Sequence, residues 1–188
     1  MTATQFKQNV NITAVWNPAY DAPVSYANET TIRTKNPAGL RFIASVADDV
    51  ANDDSVEYGF IVTRNELLKK ATIAPEDFTF DSEKAGLNMT HGTSHDANTH
   101  RTFKTDADST FFAAALVGLK AANYTDVLVV RPYFKAADGA YSYGEPMSAS
   151  IYEIAEKVKN DTEKFDSLTE TQQEVINTIL AKEELPTA

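Results

Sequence analysis

Thr31-Ile32-Arg33-Thr34, then Lys35-Asn36-Pro37-Ala38-Gly39, then Leu40-Arg41-Phe42-Ile43-Ala44-Ser45-Val46, is the stretch that decides the fold. Two strand-forming runs flank a short connection with proline and glycine in it, which is hairpin chemistry. Successive side chains of a strand point to opposite faces. Leu40, Phe42, Ala44 and Val46 therefore share one face, and Arg41, Ile43 and Ser45 share the other. Val56, Tyr58, Phe60 and Val62 repeat the alternation beyond an acidic turn, Asp48 to Asp54.

Working outward, Thr110 to Leu119 and Asp126 to Ala136 are apolar and strand-like, and Asp138-Gly139 turns the second into Ala140 to Gly144. Asp-Gly between alternating arms is a strong short-range hairpin signal. Pro132 lacks a ladder donor, so its strand is expected at an edge or with a bulge. Asn65 to Lys70 has the form of one short helical turn capped by Asn65. Ser150-Ile151-Tyr152-Glu153 is a capping box, with Ile151, Ile154, Ala155 and Val158 on one helical face. Ser167-Leu168-Thr169-Glu170 repeats the signature ahead of a stripe of Leu168, Gln172, Val175, Ile176, Ile179 and Leu180, stopped by Pro186. The pattern predicts a mainly β fold. An antiparallel β-sandwich of seven to ten strands would span residues 1–147, and a helical appendage, 148–188, would pack on it or lead to a neighbouring module.

The 188 residues include 17 Lys+Arg against 27 Asp+Glu, a formal charge of −10. That balance repels a phosphate backbone, and no basic stripe offsets it, so nucleic acid is not an expected partner. The longest apolar run, Phe111 to Leu119, is far short of the roughly 20 residues of a membrane-spanning helix, so no membrane insertion is expected. Without cysteine there are no disulfides, thiolate nucleophiles or Cys-based zinc sites.

Asp81 to Ser109 holds few large apolar residues and all three histidines, and it reads as a long polar connection of the kind that carries function. His91, His95, Asp96 and His100 offer nitrogen and oxygen donors suited to zinc if this loop curls. Gly92, Thr93 and Ser94 disfavour the helix that would align His91 with His95. The competing reading is a solvated loop with ordinary surface histidines. Asp48-Asp49, Asp53-Asp54 and Asp106-Ala107-Asp108 supply oxygens for calcium, but no run with the ligand spacing of a calcium loop accompanies them. Solvated acidic turns are the simpler expectation, and no cofactor is required. The nucleophile elbow, the phosphate loop and the dinucleotide fingerprint are all missing, which favours a non-catalytic protein.

Aromatic placement points elsewhere. Trp16, Tyr20 and Tyr26 lie in a segment broken by Pro18 and Pro23, while Tyr141 and Tyr143 lie two apart on one hairpin arm and share a face. Flat rings stack on the C–H faces of pyranoses, so either group is a candidate platform for a polysaccharide. The alternative is that these rings close the core with their hydroxyls wet. Arg33, Arg41 and Arg131 lie inside strand-like runs and must be paired or face water. Ion pairs with Glu57 and Glu145 across one sheet face are the first expectation, and a glycan- or carboxylate-binding role is the second.

Thr31-Ile32-Arg33-Thr34, Gly39-Leu40-Arg41-Phe42, Glu57-Tyr58-Gly59-Phe60-Ile61-Val62, Val129-Val130-Arg131-Pro132-Tyr133 and Ser150-Ile151-Tyr152-Glu153-Ile154-Ala155 occur in this order. Together they resemble a β-rich accessory module of large multidomain surface or secreted proteins of anaerobic gut Firmicutes. That module stands beside glycoside hydrolases, carbohydrate-binding modules or dockerins. The resemblance covers about Thr31 to Ala155. It implies an extracellular or cell-surface, non-catalytic module with neighbouring domains as partners, and it carries over no catalytic residue. The first residues, with no basic or apolar leader, fit either a cytosolic chain or a piece whose signal lies upstream. The expected function is adhesion to starch or a plant cell-wall glycan. A structural or protein-interaction spacer is the alternative, with an exposed apolar patch on the Leu168–Leu180 helix. A metal-dependent hydrolase built on His91 to His100 is the third.

Overall fold

Leu40, Phe42, Ala44 and Val46 sink into one core, while Ile43 joins Phe111 and Ala113 in a small cluster on the reverse side. The computed structural model in which they do so describes residues 13–14, 25–26, 30–96, 101–105 and 109–185, with only the backbone of some of them, Tyr26 included. Strands β3 (Thr30–Arg33) and β4 (Gly39–Ala47) pair antiparallel, Ile32 opposite Leu40, across the predicted connection. Along its whole length β4 also pairs with β8 (Ser109–Val117). Strands β1 (Thr13–Ala14), β2 (Ser25–Tyr26) and β7 (Arg101–Thr105) complete a six-stranded sheet.

A second, five-stranded sheet centres on β5 (Glu57–Arg64) and β9 (Leu128–Lys135). Strand β6 (Thr90–Thr93) lies beyond β5, and β10 (Tyr141–Tyr143) and β11 (Met147–Ala149) follow one another along the far side of β9. Tyr58, Phe60, Val62, Val130 and Phe134 point into the core that β4 fills from the other sheet. Ring centroids of Phe60 and Phe112, and of Tyr58 and Phe112, lie 5.0 Å apart across the two sheets. The protein is thus mainly β, two antiparallel sheets with a helical C-terminal region. Among the described residues the two sheets also take in short pieces such as β1, β2, β10 and β11, which form separate pairings.

Pro132 is accommodated by a break rather than at an edge. Strand β9 is paired on both sides, with Tyr143 opposite Tyr133 and Met147 opposite Val130. Gly144, Glu145 and Pro146 therefore face only Pro132 and Arg131, one residue in excess, as in a β-bulge. The Gly144 N–H donates to the Pro132 carbonyl at 2.9 Å. Proline has no N–H to return the bond, and Arg131 Nε donates to the Gly144 carbonyl instead, at 2.8 Å.

Asp81 to Ser109 is not the single polar connection its composition suggested. It overlaps a Phe80–Lys84 helix and contains β6 and β7. An edge strand needs little burial, so β6 leaves Thr90 and His91 exposed and shows no apolar alternation. Asn65 opens the Asn65–Ala71 helix rather than capping it: Arg64 holds the cap position, and the Asn65 N–H donates to the Val127 carbonyl at 2.8 Å.

At the C-terminal end the Ser150 capping box forms as predicted, with Ser150 Oγ accepting from the Glu153 N–H and Glu153 Oε2 from the Ser150 N–H, each at 3.1 Å. The second cap is Thr169, which exchanges bonds with Gln172 ahead of the Glu170–Leu180 helix. Ser167 instead closes a short Thr162–Asp166 helix that the sequence did not reveal. Ile154, Val158, Leu168, Val175, Ile176 and Ile179 share the core of the sheets, so the helical region packs on them. Tyr124, fully buried, ties the ends together: its carbonyl accepts from the Tyr152 N–H and its hydroxyl from the Leu185 N–H, both at 3.1 Å. Among the described residues no helix is long and apolar enough to cross a membrane.

Candidate functional site

Odd-numbered residues of β5 and β9 point away from the shared core. Leu68, Phe78, Phe80 and Leu87, from the segment after β5, cover part of that outer face and pack on Ile61, Val129 and Tyr133. The cover stops at Phe80, whose ring meets His91 at 5.6 Å and Tyr133 and Tyr141 each at 4.9 Å. Beyond it Tyr141 is 41% exposed, whereas Tyr133 is fully buried. The Tyr141 and Tyr143 rings are near parallel, 16° between planes and 6.1 Å between centroids, because residues two apart on a strand project the same way.

The Tyr143 ring is fixed from behind. The Phe80 N–H donates to the Tyr143 hydroxyl at 3.1 Å, and the Arg131 guanidinium carbon lies 5.0 Å from the Tyr143 ring centroid. Half-burial pushes the Tyr143 hydroxyl pKa up, against the Phe80 bond, which lowers it. Arg131 Nη1 donates to the Phe78 carbonyl at 3.0 Å. Burial holds its pKa below the usual guanidinium value, against the opposing pull of Tyr143, Glu145, Asp77 and Glu76.

Tyr133 donates its hydroxyl proton to Glu57 Oε1 at 2.6 Å. Burial first, and this bond second, raise its pKa far above the ordinary tyrosine value. The other Glu57 oxygen lies 3.9 Å from His95 Nδ1. His95 Nε2 is 3.0 Å from the Val56 carbonyl, a pure acceptor, so this nitrogen is the donor of that pair. Glu57, His91, Lys135 and Tyr141 thus lie on one mixed sheet face: aromatic area with hydrogen-bonding groups around it.

The expected ion pairs of the strand arginines with Glu57 and Glu145 are replaced by neutral acceptors. Arg33 Nε donates to the Pro37 carbonyl at 3.0 Å and Arg41 Nε to Thr31 Oγ1 at 2.9 Å, while Arg131 serves the two carbonyls already described. Carbonyls at a turn and at a proline bulge sit closer to Arg33 and Arg131 than either carboxylate does. The metal candidates do not come together as far as they are described. His91 packs on Phe80, His95 turns to Val56 and Glu57, and Asp96 lies in a turn whose N–H donates to the Thr93 carbonyl. His100 lies outside the described residues, and among those described no group of three potential ligands converges. Asp53 accepts two bonds from Ser55, and Asp48 accepts one from Thr110, which is turn chemistry.

Trp16 and Tyr20, with the side chain of Tyr26, fall outside the described residues, so the first of the two aromatic candidates cannot be placed on either sheet. Phe80, Lys135 and Tyr133 are not singled out as site residues by the sequence, and His91 stands out there only as a candidate metal ligand. The Asp138-Gly139 turn held the signal for two of them: a hairpin closed there sets Lys135 opposite Tyr141 and Tyr133 opposite Tyr143. Phe80 arrives from a distant segment and left no such trace.

A cleft of about 470 Å³ lies between the β3–β4 connection and the Glu170–Leu180 helix, lined by Lys35, Asn36, Gln172, Glu174 and Val175 among others, with no aromatic ring among the described residues that line it. Comparison with protein-family models, with curated proteins and with solved structures finds no match to this chain.

Proposed function

We propose that the chain is a non-catalytic β-sandwich module that binds polysaccharide at a bacterial surface, with Tyr141 and Tyr143 as the stacking platform. The observation that carries this reading is the exposed Tyr141 ring beside a near-parallel Tyr143, on a sheet face that also presents Glu57, His91 and Lys135. Aromatic area supplies the hydrophobic contact to a pyranose, and the polar groups around it supply partners for the hydroxyls. The resemblance of the ordered motifs adds the setting, an accessory module beside glycan-active neighbours in a longer extracellular chain.

The spacer reading has less to stand on, since Leu168, Val175, Ile176 and Ile179, where its docking patch was expected, are buried. Affinity electrophoresis through gels containing soluble starch or plant cell-wall glycans tests the proposal. At least one glycan is expected to retard the wild-type chain, and Tyr141→Ala is expected to abolish the retardation with an unchanged circular dichroism spectrum. Unaltered wild-type mobility in every gel removes the proposal.

A further inference from the structure

One row of the outer face runs Glu57, Lys135, Tyr141 across three strands, because Lys135 stands opposite Glu57 on β5 and opposite Tyr141 on β10. A lysine directly across an antiparallel ladder from a glutamate is placed to pair with it. Glu57 is turned elsewhere, to the Tyr133 hydroxyl and towards His95. The Lys135 ammonium stands 5.6 Å from the Tyr141 ring centroid, and among the described residues it has no carboxylate partner. The neighbouring cations are engaged. Lys84 donates to Asp81 at 2.7 Å, and Arg131 is taken up by the Gly144 and Phe78 carbonyls.

An exposed ring with an ammonium over it, held by no carboxylate among the described residues, matches a sugar that has both a C–H face and a carboxylate. A neutral glucan uses only the ring and leaves the ammonium to water. We infer that the platform takes an acidic polysaccharide, one built with uronic acid units, and that Lys135 meets the sugar carboxylate in a charge-assisted contact. This inference rests on the glycan-binding reading above. The net charge of −10 opposes polyanions in general, so retention by an acidic glycan has to come from a local cation and not from bulk attraction.

The test runs the full chain through gels containing polygalacturonate, soluble starch, xyloglucan or dextran sulfate, with Lys135→Gln, Lys135→Arg and Tyr141→Ala beside the wild type. Polygalacturonate is expected to retard the wild type, more weakly as salt is added. Lys135→Gln is expected to weaken that binding about tenfold, the loss of one charged contact, and Lys135→Arg to retain most of it. Retardation by starch or xyloglucan alone overturns the acidic-sugar inference and leaves the stacking platform in place. Polygalacturonate binding that Lys135→Gln does not change, or equal retardation by dextran sulfate, also overturns it. Absence of retardation in every gel removes the inference together with the glycan-binding reading.

Discussion

On β5 and β9, Tyr58, Phe60, Val62, Val130 and Phe134 point one way, and Glu57, Ile61, Arg131, Tyr133 and Lys135 point the other. The first set meets a second sheet and is lost from solvent. The second set meets a partial lid of short helices, so burial falls from complete at Ile61 and Tyr133 to intermediate at Lys135, and the facing Tyr141 on β10 is exposed. The same alternation thus produces a core on one side and a graded, partly polar face on the other. What differs is the cover, since an open sheet face exists only where the packing segment ends.

Substitutions on the two faces separate stability from binding. Phe60→Ala acts on the closed face, where the ring touches Phe42 and Phe112 and is fully buried. It is expected to lower unfolding free energy by about 4 kcal/mol, read from urea denaturation, and a loss below about 1 kcal/mol would mean the two sheets do not share that core.

Gly59→Ala, one residue away on the outer face, is expected to lose about 2 kcal/mol. A Cβ there would run into the Gly92 carbonyl oxygen, so β5 and β6 must part to admit it. Urea midpoints comparable to wild type would contradict so close an approach of the strands.

Tyr133→Phe removes the bond to Glu57 and is expected to lose about 1 kcal/mol at pH 7. Its larger signature lies in alkali. Because the folded state raises this hydroxyl's pKa, the stability linked to its proton is fully present below the unfolded value of about 10. It declines as pH rises above that value, where the unfolded chain ionises first. Wild type should therefore lose stability between pH 9 and pH 11, on the order of a unit either side of that pKa, more steeply than Tyr133→Phe does. Equal slopes would show that the phenol is not held protonated.

Tyr141→Ala closes the series with the smallest stability effect, under about 0.5 kcal/mol for a ring this exposed, although it is the variant expected to lose the glycan. A large drop in the urea midpoint would instead make this ring part of the core.

The hairpin from Thr31 to Val46 was legible because its chemistry is local: alternation sets the faces, and Pro37 and Gly39 set the connection. The Ser150 cap and the Asp138-Gly139 turn were legible for the same reason. Thr90-His91-Gly92-Thr93 was not, because an edge strand exposed on one side needs no apolar pattern. Ser167 was mistaken for a cap because Thr169 two residues later satisfies the same rule, with Gln172 completing it. The arginine pairings failed for a longer-range reason. Which acceptor a guanidinium meets depends on which carbonyls the bulge at Pro132 leaves open, and that is a property of two strands together.

From the chain alone came the β character of the sheets, the alternation that splits each strand into two faces, the shared face of Tyr141 and Tyr143, and the helix start at Ser150. Tertiary packing decided the rest: that Phe80 comes to lie against Tyr133 and Tyr141, that Glu57 turns to a buried phenol, and that Lys135 is left beside an open ring. Backbone periodicity is encoded by neighbours in sequence. The identity of a side chain's partner, and whether water reaches it, depend on which distant segment covers it, and no local pattern contains that information.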